Sequence, residues 1–236
     1  MKLIIKMILA AMLLCVPFGV DAQGTITRPK KPKKQTNVPA KKQQKSLSPE
    51  QMHKKGDEAY RRNDYATALN WYLKAAEKGN EDAMWAIASM YGEGKGVAKS
   101  PSEAARWYNR IGEISSPRGQ FYVGENFEYA NEVERNYNQA AVWYHRAAER
   151  GLPDAQYKIG MFYLKGLGVT RKDYALALKW LQLAAEKGNG SAEYYLGEMY
   201  ENGYGVPKDR EEAIRWYRKA ADQGVYIAQQ ALKRLK

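Results

Sequence analysis

The side chains able to do chemistry in this sequence are few and scattered. His53 and His145 are the only histidines and stand 92 residues apart, so they offer no metal triad. Cys15 is the single cysteine, which excludes a disulfide scaffold and a Cys-rich metal centre. No Ser, Cys or His lies in a recognisable setting of nucleophile and base. Three Gly-x-Gly segments, at Gly94, Gly166 and Gly203, lack the preceding strand and the following Lys-Ser/Thr of a phosphate loop. These residues predict no catalytic group, no metal and no cofactor, and so a chain that is not an enzyme. Aromatic and acidic side chains, by contrast, do recur at fixed spacing. Trp85, Phe121, Tyr157 and Tyr194 follow one another at intervals of 36, 36 and 37 residues, with His53 at the matching earlier place. Glu125, Glu198 and Glu201 lie close to them in sequence, with Asp57, Asp82 and Asp154 nearby. Such rings either pack between structural units or grip an extended peptide or sugar rings.

The elements that position them form a repeat. Trp71, Trp107, Trp143, Trp180 and Trp216 are spaced 36, 36, 37 and 36 residues apart. An Ala stands three residues before each, and four of the five are followed by Tyr, the exception being Leu181. Paired alanines follow at Ala75, Ala147, Ala184 and Ala220, then a Gly at Gly79, Gly151, Gly188 and Gly224. Small residues also align at Ala88, Gly124, Gly160 and Gly197, each three residues before Tyr91, Phe127, Tyr163 or Tyr200. Periodicity of this length is the mark of stacked supersecondary units. Each unit reads as a helix pair. The small residue marks a close crossing, Ala–Trp–Ala forms the buried stripe, and Gly-x-Gly-Val forms the connector, with Val filling the gap between helices. The third unit has Ala130, Glu132 and Val133 at the connector, which leaves its loop shape open. His145 falls in a slot otherwise held by Leu73, Asn109, Gln182 and Arg218, read as exposed. Ile227–Lys236 reads as a terminal helix with Ile227, Ala228, Ala231, Leu232 and Leu235 inward and Lys233, Arg234 and Lys236 outward.

The pattern A-x-x-x-L-G-x-x-Y, G-x-G-V, A-x-x-W-Y-x-x-A-A-x-x-G resembles the Sel-one-like repeat of the tetratricopeptide superfamily, most clearly over Ala155–Gly188 and Ala192–Gly224. The resemblance covers about 180 residues. It implies an all-α, right-handed superhelical solenoid of five helix pairs plus a C-terminal capping helix. The expected units are residues 50–80, 81–117, 118–153, 154–190 and 191–226, with the cap at 227–236. It also implies that the first helices line a concave groove, which places Trp85, Phe121, Tyr157, Tyr194, Glu125, Glu198 and Glu201 there. Proteins similar to this family mediate protein–protein contacts. Some Cys-rich secreted members have been proposed as hydrolases, a role for which the residues here provide no nucleophile.

Charge and the N-terminus complete the reading. The net charge is +12, but residues 1–22 hold +1, residues 23–48 hold +8 and residues 49–236 hold +3. Residues 1–22 have a basic start, an apolar run of about 14 residues from Met7 to Val20, and Val20-Asp21-Ala22 as a cleavage site. That run is shorter than the roughly 20 residues of a spanning helix, so a cleaved signal peptide is expected, with an uncleaved anchor as the alternative. Export to a bacterial periplasm or beyond the cell follows, and with it no nucleic-acid partner. Residues 23–47, rich in Lys, Gln and Pro, read as a disordered linker, either a spacer or an arm for an anionic envelope surface. Ser48, Pro49 and Gln51 form a capping-box signature that opens the folded domain, with Leu47 and Met52 as its hydrophobic staple. The expected function is a scaffold or adaptor binding a protein or peptide in its groove. The alternative is an envelope binder of carbohydrate or peptidoglycan.

Overall fold

The structure, a computed structural model, describes residues 46–235. The expected signal peptide and nearly all of the basic linker lie outside these residues. Among the described residues the chain forms eleven α-helices and no strand: α1 (Pro49–Arg61), α2 (Tyr65–Ala76), α3 (Glu81–Glu93), α4 (Pro101–Ile114), α5 (Pro117–Tyr129), α6 (Tyr137–Glu149), α7 (Pro153–Lys165), α8 (Tyr174–Glu186), α9 (Gly190–Asn202), α10 (Arg210–Asp222) and α11 (Tyr226–Arg234). Each packs chiefly on its neighbours in sequence, as stacked repeats must. Five helix pairs and a terminal helix make an all-α solenoid. None of the described helices is long and apolar enough to cross a membrane.

The helix starts are set by their caps. Ser48 accepts the Gln51 backbone N–H at 3.2 Å while Gln51 Oε1 accepts the Ser48 N–H at 2.9 Å, the capping box expected from the sequence. Asp64, Asn80, Ser100, Ser116, Asn136, Asp173, Asn189 and Asp209 each take one first-turn N–H, satisfying donors that a helix cannot satisfy itself. The first helices of the later units start one residue or so ahead of the expected boundaries, because Pro117, Pro153 and Gly190 already belong to them. The third connector keeps the first of the two left-handed turns without glycine, and Glu132, in the place of Gly96, Gly168 and Gly205, does not take a positive φ. Ala130 takes the left-handed conformation (φ 58°) that Gly94, Gly166 and Gly203 take in the other units, and Val133 is buried in the core.

The core runs along the crossing of the two helices in each pair. Tyr72, Tyr108, Tyr144 and Tyr217, each one residue after the repeated Trp, are almost fully buried. A Cβ added to Gly56, Gly124 or Gly197 would lie 2.4, 2.7 or 2.6 Å from the ring of Tyr72, Tyr144 or Tyr217. The small residue therefore exists to let this ring lie against the first helix. Here the structure corrects the sequence reading, which put Trp at the centre of the stripe. Trp143 and Trp180 are buried, but Trp71, Trp107 and Trp216 are only half-buried, and all five lie beside a Lys or Arg at 4.1 to 5.6 Å from the ring. Trp is the shoulder of the stripe and Tyr its centre, because a phenol can bury its ring and still reach a polar partner with its hydroxyl.

Neighbouring units are joined by cations on helix ends. Within the first unit Lys78 donates to the Leu47 carbonyl ahead of α1, while Arg150 reaches back to the Ser115 carbonyl of the preceding unit and Lys187 to that of Gly151, at 3.3, 2.8 and 2.7 Å. The last two carbonyls lie at helix C-termini, where unpaired acceptors and the helix dipole favour positive charge. In the second unit the same slot holds Ile114, which is exposed, and Arg110 reaches the Ala76 carbonyl instead. The terminal helix differs from expectation at one residue. Ala228 and Ala231 face the core, Leu232 and Leu235 are half-buried, and Ile227 is 48% exposed. Among the described residues α11 packs chiefly on α10, and its small residues occupy the covered face. Gly197→Val should lower the unfolding free energy by about 1–3 kcal/mol, the cost of overpacking against the Tyr217 ring, read as a lower urea midpoint at unchanged m-value.

Candidate interaction surface

The first helices α5, α7, α9 and α11 are bridged one to the next by side chains, α7 to α9 through Tyr157 and Tyr195, so they line one continuous face. Arg118 on α5 pairs with Asp154 on α7 at 2.9 Å, Lys158 on α7 with Glu128 on α5 at 2.9 Å, and Arg234 on α11 with Glu201 on α9 at 2.7 Å. The second helices line the opposite face, bridged by Trp143 to Asn109 and Arg146 to Glu113. His145 belongs to that second series. Rather than standing free, it is half-buried, packed edge-on against Trp180 at 5.4 Å and 3.4 Å from Glu149. Among the described residues no three His, Cys, Asp or Glu side chains gather as a metal site.

The aromatic ladder packs within its own unit at three of its four places. Trp85 lies 5.4 Å from Tyr108, Phe121 5.4 Å from Tyr144, and Tyr194 5.5 Å from Tyr217. His53 takes the same place against Tyr72 at 5.5 Å. Phe121 is buried, while Trp85, Tyr157 and Tyr194 are half-buried. In the fourth unit Leu181 replaces the second-helix Tyr, and Tyr157 pairs with Tyr195 of the next unit at 5.9 Å. Each buried Tyr also donates its hydroxyl to a carboxylate. Tyr72 reaches Asp57 at 2.9 Å, Tyr144 reaches Glu128 at 2.5 Å, Tyr217 reaches Glu201 at 2.7 Å, and Tyr108 reaches Glu132. Burial foremost, then the adjacent carboxylate, pushes all four phenols well above their ordinary range, so they stay donors. In the second unit the acid's usual position is Gly92. Glu132 from the third connector fills it, and a Cβ on Gly92 would come within 2.5 Å of the Glu132 Cβ. In the fourth unit acid and phenol are lost together, as Leu164 and Leu181.

The expected site acids therefore divide. Glu201 is tied to Tyr217 and Arg234, and Glu198 accepts the Tyr194 hydroxyl at 2.8 Å. Asp154 is held by Arg118 and Asn189, and Asp82 is exposed. Glu125 is different. It is half-buried, and among the described residues no donor reaches its carboxyl. Burial raises its pKa, Lys158 and Arg118 pull it down, and Glu128 and Asp154 push it up, for a net rise. Around it stand residues that the sequence reading did not single out. Tyr122 and Tyr129 are 47% and 50% exposed, and with Glu125 they follow the i, i+3, i+7 spacing of one helix face. Lys158 sits 4.7 Å from the Tyr129 ring and 5.7 Å from the Tyr144 ring. Burial pulls its ammonium down, but hydrogen bonds to Tyr129 and Glu128 outweigh this and hold it above its ordinary value. The signal was the slot after each ladder residue, Ala86, Tyr122, Lys158 and Tyr195. It changes chemistry in every unit while the frame around it repeats.

The Sel1 repeat family profile matches residues 46–80, 81–113, 117–152, 153–189 and 190–225, one match for each helix pair. The chain belongs to the Sel1 repeat family. Proteins of this family generally mediate protein–protein interactions and are generally non-catalytic scaffolds. Among solved structures, the chain is similar to a protective antigen of uropathogenic Escherichia coli displaying an SLR fold, with 35% identity, 78% of this chain and 40% of that one covered, and a TM-score of 0.60. The chain thus spans less than half the length of that protein. It is also similar to a Sel1 repeat protein from Oxalobacter formigenes, with 36% identity, 76% and 73% covered, and a TM-score of 0.54. No curated protein matches the chain.

A carboxyl whose folded pKa is raised costs stability above that pKa, and the cost disappears below its unfolded value. Glu125→Gln should therefore raise the thermal midpoint at pH 7, and the gain should shrink as pH falls towards the ordinary carboxylate range. Thermal unfolding of both chains between pH 3.5 and 7.5 checks the sign.

Proposed function

We propose that this Sel1 repeat protein is an exported, non-catalytic scaffold that takes an extended, basic segment of a partner protein along its first-helix face. The observation carrying the reading is the pairing of exposed Tyr122 and Tyr129 with the charge of that face. Helices α1, α3, α5, α7, α9 and α11 hold twelve carboxylates and eight cations, whereas α2, α4, α6, α8 and α10 hold seven carboxylates and nine cations. Exposed aromatics among carboxylates attract cationic, not anionic, partners. Glu125 adds to this. A carboxylate retained where it costs stability is the kind of local conflict that function maintains. The carbohydrate alternative loses support, since Trp85, Phe121 and Tyr194 pack on second-helix tyrosines, Tyr157 packs on Tyr195, and Phe121 is buried.

Photocrosslinking tests the face. A benzoylphenylalanine replacing Tyr122 or Tyr195 should capture protein partners in the native envelope, whereas one replacing Arg106 or Arg215 on the second helices should not. Capture from the second helices alone would refute the assignment. Export rests on the pattern of residues 1–22. N-terminal sequencing of the mature protein should begin at Gln23, and a chain retaining Met1 would remove that part of the reading.

A further inference from the structure

The first-helix face shows what kind of group it holds, because the protein fills two such places itself. At the joint of the third and fourth units, the Lys158 ammonium lies between the Tyr129 and Tyr144 rings and 2.9 Å from Glu128. At the joint of the first and second, the Lys95 ammonium is 5.4 Å from the Tyr60 ring, 2.9 Å from its hydroxyl and 2.6 Å from Glu93. Both are nests of one carboxylate and one or two phenols closed on a primary ammonium. The carboxylate neutralises the charge, and the ring faces replace part of its water.

A third nest shares the Tyr129 wall with the Lys158 nest and has a carboxylate, Glu125, with no cation of its own. Glu125 is three residues after Tyr122 and four before Tyr129, spacings that put neighbouring side chains together on a helix. Tyr122 and Tyr129 are the two most exposed aromatics on the first-helix face before α11. The cations nearest Glu125 are both engaged elsewhere, Arg118 with Asp154 at 2.9 Å and Lys158 with Glu128 at 2.9 Å. Nothing among the described residues donates to the Glu125 carboxyl, although the site is half-buried and electronegative. The fold has thus left at mid-face an unfilled carboxylate between two phenols, one of them shared with the Lys158 nest, the kind of receptor that it closes twice with its own lysines.

Resting on the proposed groove function, we infer that Tyr122, Glu125 and Tyr129 form a receptor for one lysine or arginine side chain of the bound protein segment. Glu125 pairs with the cation, and the Tyr122 and Tyr129 rings flank it and its methylene stem. Neighbouring Tyr195, paired with Tyr157 and Tyr194, extends the surface along the segment without contributing to the nest.

The test uses the full-length chain and fluorescein-labelled deca-lysine at low salt, with deca-glutamate as the opposite charge. Fluorescence anisotropy should show saturable binding of deca-lysine and none of deca-glutamate. Glu125→Gln and Tyr122→Ser should each weaken deca-lysine binding about five- to tenfold, the range expected for a cation losing one wall of such a nest. Glu113→Gln on the second-helix face should change nothing. Because Glu125→Gln is expected to stabilise the fold, weaker binding together with a higher thermal midpoint cannot come from unfolding. Equal affinities for Glu125→Gln, Glu113→Gln and the parent chain would overturn the nest. A benzoylphenylalanine replacing Tyr195 separates the two readings. If it crosslinks deca-lysine while Glu125→Gln has no effect, the nest falls and the groove stands. If it captures no peptide at all, the groove itself falls.

Discussion

The whole stack depends on one contact, repeated with small changes. A tyrosine on the second helix of a unit lays its ring on a residue without a side chain, or with only a methyl group, on the first helix. It then passes its hydroxyl to a carboxylate at the edge of the crossing. The ring excludes water from the crossing and the small residue sets how closely the helices approach. The hydrogen bond prevents the phenol from being a buried polar group without a partner, which would cost roughly 1–3 kcal/mol. Tyr144 on Gly124 with Glu128, and Tyr217 on Gly197 with Glu201, show it complete. The exceptions show that ring, space and acid form one device. Where the acid's position is Gly92, Glu132 arrives from the next connector. Where the phenol becomes Leu181, the acid becomes Leu164 as well. A single replacement would strand a buried polar group, so the two change together.

The same acids carry the device from one unit to the next. Glu128 receives Tyr144 from its own unit and Lys158 from the following one, and Glu201 receives Tyr217 and Arg234. Glu132 does the reverse, reaching back from the third unit to Tyr108 and Ser89 of the second. Breaking one member of such a group leaves the others short of partners in a partly dry joint, which makes polar groups of this kind costly to disturb. Together with the Lys and Arg contacts to helix-end carbonyls, they fix the register of neighbouring units. Apolar packing of alanines alone would leave that register loose.

The architecture was legible in the sequence because its signals are periodic. The Trp spacing, the small residues at Gly124, Gly160 and Gly197, and the capping box at Ser48 each state a local rule that the fold obeys. What could not be read was which member of a conserved-looking pair was central. Trp and Tyr are adjacent, both are apolar, and period alone cannot separate residues 100° apart on a helix; the hydroxyl's partner, 15 or 16 residues earlier in most units, decides it. The candidate surface suffered from the same cause. Regular spacing drew attention to Trp85, Phe121, Tyr157 and Tyr194, yet regularity is what packing produces. The positions that differ from unit to unit sit beside the regular ones, at Tyr122, which is exposed, and at Lys158 and Tyr195, which are half-buried. Of the expected acids that are half-buried, only Glu125 lacks a partner among the described residues, and nothing local distinguishes it from Glu198, since pairing depends on what a neighbouring residue or unit happens to supply.

Placing an exposed receptor at this joint has a physical advantage. Affinity for an extended segment is eroded by the entropy of ordering both partners, so contact side chains are most effective on the parts of a scaffold that move least. Helix α5 is held by Phe121 under the Tyr144 ring, by Glu128 shared between two units, and by Arg118 pinned to Asp154. These ties run along both flanks of the strip bearing Tyr122, Glu125 and Tyr129. The strip is therefore rigid at its backbone, with Tyr129 held by Lys158 and Tyr122 against Phe121, while among the described residues the Glu125 carboxyl is left without a donor. A solenoid can produce this combination in one unit without disturbing the next, because its frame residues and its facing residues occupy different turns of the same helix.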